Sequence, residues 1–369
     1  TSRRSISSSS CGAPDSGAPK GGVMIFGDNA SNNVVAGNLI GTDASGLTAL
    51  PGGFHGITIG EIAGSPNLNR IGTNGDGVSD DIERNIISGH SGMGVVIFGD
   101  GVPSGTVIAG NYIGTDVNGG AALGNTQAGI GIFGGGLARI GTDADGNGDD
   151  AERNVIAGNG TGVLFQSTFL ALTTISGNSI GTDATGTLDL GNINAGVQID
   201  AGFAMIGGFD AIEGNVIASN GGPGVGVSDL VINHCIIGNS IYSNNGLGID
   251  LGNDGVTPND ADDSDTGANG LQNFPELSNV TTTLNDTTVV TGSLRSTSNT
   301  VFRVEFFANS DADPSGFGEG REFVGFVDVT TDGTGVATIG AELSFVLQPG
   351  EQLSATATGP DGTSEFSLS

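Results

Sequence analysis

Three acidic stretches hold the residues best suited to chemistry. The first reads Asn74-Gly-Asp76-Gly-Val-Ser-Asp80-Asp81-Ile-Glu83. The second reads Asp143-Ala-Asp145-Gly-Asn147-Gly-Asp149-Asp150-Ala-Glu152, and the third Asp260-Ala-Asp262-Asp263-Ser-Asp265. Oxygen ligands at alternate positions, with glycine for a sharp turn, are what Ca²⁺ takes from a single loop. Asp143, Asp145, Asn147 and Asp149 come closest to that spacing, although their acidic end arrives early and no helix is expected on either side. Asp76 and Asp80 in the first loop, and Asp260, Asp262 and Asp265 in the third, are further candidate ligands. The other reading of these loops is a solvated acidic turn that suppresses association at sheet edges.

Groups suited to acid–base or nucleophilic work are scattered. His90 stands where a partner copy of the same string has Asn159, His55 closes a repeat, and His234 lies in a strand or corner, so each is expected to be structural. Arg84 and Arg153 adjoin acidic loops, but Arg-Asn recurs there with the repeat. That favours structural pairing with Glu83 and Glu152 over proton abstraction. There is no Gly-x-Ser-x-Gly, no Cys-x-x-Cys and no phosphate-cradling glycine loop ahead of a helix. No catalytic residue is assigned.

The elements that position these residues follow from composition and repeats. Of 369 residues, 69 are glycine, and the acids outnumber Lys and Arg by 40 to 10, a formal charge of −30. That field repels nucleic acid and anionic membranes and attracts cations. No run approaches 18 apolar residues, so no membrane span is expected. With 36% hydrophobic residues the chain is too apolar for a solvated coil, and 11 prolines without a Gly-X-Y period exclude collagen. Cys11 and Cys235 are too few to staple a scaffold and too far apart in the repeat for a bridge. The start, Thr1-Ser2-Arg3-Arg4, reads as a processed form or a fragment.

The string Gly-Asn-x-Ile-Gly-Thr-Asp-x-x-Gly occurs at 37–46, 110–119 and 177–186. It alternates with Arg-Asn-(Ile/Val)-Ile-(Ser/Ala)-Gly-(His/Asn) at 84–90 and 153–159, and with a weaker copy at 214–220. Gly followed by a short apolar alternation recurs from Gly22, Gly56, Gly94, Gly129, Gly162, Gly196, Gly224 and Gly246. The spacing predicts eight coils, the last partial, each with short β-strands; in the third they are 95–98, 106–109 and 112–115. A four-residue strand cannot bury its apolar side alone, whereas copies stacked ~4.8 Å apart can. A parallel β-solenoid roughly 35 Å long by that spacing is therefore expected over 22–275. Odd coils carry their loop after the third strand and even coils between the second and third. Asn38, Asn111, Asn178 and Asn239 are expected to stack at a corner, amide on amide. Residues 1–21 form a Ser/Gly/Pro-rich segment without a capping helix, so the first coil is expected to be open or covered by a neighbouring subunit. After Phe274-Pro275 glycine thins and Thr, Val and Phe alternate. Residues 276–369 read as an immunoglobulin-like β-sandwich able to cap the last coil.

The strings Gly-Asn-x-Ile-Gly-Thr-Asp and Ile-Gly-Thr-Asn-Gly-Asp-Gly-Val-x-Asp…Glu-Arg-Asn-Ile-Ile-Ser-Gly, and the segment from Asp254-Gly-Val-Thr-Pro-Asn-Asp260 to Gln272-Asn-Phe-Pro275, resemble bacterial secreted right-handed parallel β-helix repeat proteins. So do 355–358 and 362–366, near the chain's end, which match the close of an immunoglobulin-like domain. The resemblance covers nearly everything after Gly22 and implies that fold and export to the medium or the cell surface. The fold is shared by pectate lyases, polygalacturonases, adhesins and tail fibres, so it implies no single activity. Gly-His-Gly and Arg-Ile-Lys, which a polygalacturonase-like site would need, do not occur. The absence of Trp and the presence of only two Tyr weaken a sugar-stacking groove. The expected function is a non-catalytic extracellular structural or adhesive protein, a fibre subunit that self-associates or binds surface glycans. The alternatives are a polysaccharide lyase or hydrolase and a glycan-binding surface module.

Overall fold

The computed structural model describes residues 4–6, 22–27, 30–50, 53–60, 66–99, 105–134, 137–167, 172–228, 231–261, 263–283, 286–310, 313 and 315–368. Up to residue 251 the chain visits three parallel sheets in turn, once per coil. Face 1 holds eight strands from Val23–Ile25 to Ile249–Leu251, and face 2 holds seven from Val34–Val35 to Cys235–Ile237. Face 3 holds eight. Seven run from Asn38–Ile40 to Ser240–Tyr242, and the eighth, Arg4–Ile6, pairs in parallel ahead of the first coil. The arrangement fits a parallel β-helix, and the expected loop alternation holds. Loops follow face 3 in coils one, three and five and separate faces 2 and 3 in coils two, four and six. Cys235 is a free thiol, while Cys11 lies outside the described residues.

Register puts like on like. On face 1, Ile59, Ile97, Ile132, Phe165, Ile199 and Val227 succeed one another in register and are fully buried. Ile71, Ile108, Ile140, Ile175 and Ile206 do the same on face 2, and Ile40, Ile87, Ile113, Ile156, Ile180 and Ile217 on face 3. All belong to one continuous core. Each such side chain is worth roughly 1.5–3 kcal/mol of burial.

The repeated string now reads as a set of instructions. Its Asn enters the corner ladder and its Ile enters the core. Its second Gly (Gly41, Gly114, Gly181) has φ of 83°, 89° and 93°, and an added Cβ there would lie within 2.2 Å of the carbonyl oxygen of Ser88, Ala157 or Ala218. Its Thr opens a small antiparallel bridge, Thr42 to Ala49, Thr115 to Ala122 and Thr182 to Asp189. Its Asp closes the turn: Asp43 accepts the N–H of Leu47, Asp116 that of Gly120 and Asp183 that of Thr187.

Two asparagine ladders run up the corners. Between faces 2 and 3, Asn38, Asn85, Asn111, Asn154, Asn178, Asn215 and Asn239 each pass the amide to the next, with Nδ2–Oδ1 distances of 2.8–3.0 Å. The even-coil asparagines thus join the four foreseen from the sequence. Ahead of face 1, His90 donates its N–H to Asn125, which leads to Asn159, Asn192, Asn220 and Asn244. His90 therefore occupies a ladder position, as expected of a corner variant.

From Glu276 the sheets are antiparallel. Glu276–Thr282, Thr288–Arg295 and Val336–Leu343 form one; Glu322–Thr330, Val301–Asn309, Gln352–Gly359 and Gly362–Thr363 form the other. They share a core that includes Val290, Leu294, Ile339, Phe302, Phe306 and Ala355. Phe307 and Phe366 leave that core and join the solenoid's, so the sheets close the apolar end of the last coil.

Candidate metal centre

The first two acidic loops lie at the same corner, two coils apart. Each ends in a single helical turn, Asp80–Glu83 or Asp149–Glu152, entered through a left-handed Ser79 or Gly148. This corrects the expectation of no helix. The loops stack, because an added Cβ at Gly75 would lie 2.6 Å from Glu152 Oε1.

Their partners also differ from expectation. Glu83 pairs with Arg70 at 2.7 Å and Glu152 with Arg139 at 2.9 Å, both arginines coming from face 2. Arg84 and Arg153 leave the helical turns in extended conformation and point elsewhere. Arg84 lies over the Tyr112 ring at 4.3 Å, and Arg153 is 3.6 Å from Asp150.

In the first loop Asp76 closes a turn onto the Val78 N–H, while buried Asp80 accepts the Thr73 hydroxyl. In the second, Asp143 and Asp149 converge with Glu152 to within 4.8 Å, and Asp145 is not in that group. Asp145 and Asn147 close a turn on each other, the Asn147 N–H donating to Asp145 Oδ1 at 2.8 Å. Glu152 is 1% exposed, and burial pushes its carboxyl above the usual range despite the Asp143 N–H and Arg139. Arg139 reaches Asp143 as well, at 3.4 Å, so a guanidinium already supplies positive charge to this cluster.

The third loop sits where the solenoid meets the antiparallel sheets. Asp260, Asp263 and Asp265 bring carboxylate oxygens within 4.8 Å of one another. Asp262 lies outside the described residues. Asp263 takes the N–H of Asn273 at 2.9 Å, the Gln272 amide at 3.0 Å and the Ser296 hydroxyl. Burial pushes the Asp263 carboxyl up, and Asp260 and Asp265 add to the shift. Burial also raises Asp265, again with Asp260 contributing. Asp260 Oδ1 is buried and has no hydrogen-bond partner among the described residues. Sequence spacing missed Asp263 because alternation assumes an extended loop. Asp263 is left-handed, with φ 51°, so the loop is not extended there. The adjacent pair Asp262-Asp263 was the available signal.

The histidines are built into the frame. His55 Nδ1 accepts the Met93 N–H at 3.0 Å and His234 Nδ1 the Ala204 N–H at 3.2 Å, while His90 Nε2 lies 3.3 Å from the Ile40 carbonyl. Burial pulls His90 and His234 down to about 4, leaving both rings neutral at pH 7. No protein-family model matches the chain, and no curated protein matches it.

Proposed function

We propose that this chain is a non-catalytic extracellular structural or adhesive protein whose solenoid serves as a stiff rod, secreted or held at a cell surface, and assembles with its own kind. The observation that carries this reading is the use of the repeat. Its asparagines, its acids and all three histidines are engaged in corner ladders, turns and core packing. The coils are taken as right-handed, as nearly all parallel crossovers are. The terminal sheets, three strands on four, are taken as an immunoglobulin-like sandwich. Electron microscopy of the native material tests the rod and its assembly. Filaments, or Ca²⁺-dependent oligomers in size-exclusion chromatography with light scattering, are the expected result, and a strict monomer at every Ca²⁺ level overturns the fibre reading.

Ca²⁺ is the proposed ion, and Asp260, Asp263 and Asp265 are its best seat. Asp260 Oδ1 lacks a partner there, whereas Arg139 already serves the cluster of the second loop. A cation binding only the folded chain at a hundred times its Kd adds about 2.7 kcal/mol. Millimolar Ca²⁺ should therefore raise Tm by several degrees and chelator should lower it. Asp263→Asn should abolish the Ca²⁺ response. No shift in the unaltered chain leaves these loops as plain acidic turns.

A further inference from the structure

The last coil ends at three strand edges, and the sandwich sends one glutamate to each. At the end of face 2, the Gly238 N–H donates to Glu305 Oε2 at 2.9 Å. At the end of face 3, the Ser243 and Asn244 N–H groups donate to the two oxygens of Glu319 at 2.6 and 3.0 Å. On face 1, Leu251 N–H donates to Glu365 Oε1 at 3.0 Å and Thr257 N–H to Oε2 at 2.9 Å. These acceptors stand where a further coil would stand.

Their charges are unevenly answered. Glu305 has Arg303 at 2.8 Å, a guanidinium that also lies over the Phe326 ring. Among the described residues, no cation forms an ion pair with Glu319 or Glu365. The charged group of the coil that acts on Glu365 is Asp250, itself 9% exposed and raised by burial with Asp254 adding to it. Asp313 acts on Glu319 in the same sense. His234, whose carbonyl accepts the Thr363 N–H, is buried and neutral and supplies no positive charge.

We propose that the junction between the last coil and the sandwich is a proton-linked clamp, tightest in mild acid and loosened as the pH climbs to neutrality, with Glu365 its principal titrating group. Burial lifts the Glu365 carboxyl from 4.5 to about 7, and burial also raises Glu305 and Glu319. Between about 4.5 and 7 the docked chain holds a proton that the opened chain has released. Docking therefore weakens with rising pH across that window and levels off above it.

Hydrogen exchange on the full chain in chelator, corrected for intrinsic rates, tests the clamp. Protection at Leu251 and Thr257 should fall on the order of a hundredfold from pH 5 to pH 8, while amides of the third coil keep theirs. In Glu365→Gln the dependence on pH should largely vanish, whatever the baseline protection. Equal protection of the unaltered chain at both pH values, a comparison needing no variant, overturns the proposal. So does a Gln variant with an unchanged slope.

Discussion

Ile132→Asp is expected to abolish folding. Ile132 is fully buried on face 1, in register with Ile97 on one side and Phe165 on the other. The substitution removes roughly 1.5–3 kcal/mol of apolar burial. It also places a carboxyl where the neighbours are hydrocarbon, and even a neutral, unbonded polar group there costs about 1–3 kcal/mol more. Coils are stabilised by their neighbours, so a failed fourth coil separates the rod into two short stacks, each with an open end. Thr174→Asp on face 2 makes the control. Thr174 is half-buried and alternates with the inward Ile175, so a charge there can reach water. Circular dichroism and size-exclusion chromatography should find the Thr174 variant folded and the Ile132 variant aggregated or unfolded. A soluble Ile132→Asp chain with unchanged melting would disprove this register.

The coil count was legible because each turn repeats one glycine and one apolar alternation, and face 1 has a strand at every one of those positions. Loop placement was legible for the same reason. Local pattern did not reveal the helical turns at Asp80–Glu83 and Asp149–Glu152, since four residues are too few for a helical period to register. Nor did it reveal Glu276–Thr282 as a strand, because most of its residues are exposed and no alternation marks a buried side. The partners of Glu83 and Glu152 depend on how face 2 lies against the corner. Arg70 and Arg139 precede them by 13 residues, whereas the adjacent arginines looked equally suitable on paper. The glutamates that close the last coil lie 67 or more residues along the chain from the amides they accept, and no periodicity connects such positions.

Asn154→Ala should be a severely damaging change at a corner. Asn154 Oδ1 accepts both the N–H and the Nδ2 of Asn111, at 2.9 and 3.0 Å. Its own Nδ2 donates to the Ile108 carbonyl at 2.8 Å and to Asn178 Oδ1 at 2.9 Å. Alanine removes all four bonds from a site with no exposure to water. The abandoned groups then pay their desolvation cost, on the order of 3–6 kcal/mol together at about 1–3 kcal/mol for each unsatisfied group that cannot relax. Asn154→Asp should be no milder, since it replaces a donor with an acceptor facing two oxygens. Asn38 heads the described ladder and is only half-buried, with its Nδ2 donating to the Ala36 carbonyl and to Asn85 Oδ1. Asn38→Ala should therefore cost about 1 kcal/mol, the net worth of an ordinary bond. Urea denaturation measures both. A large drop in midpoint for Asn154→Ala beside a small one for Asn38→Ala is the expected pair. Equal small losses would mean that core stacking alone holds the coils and that the ladders only occupy the corners.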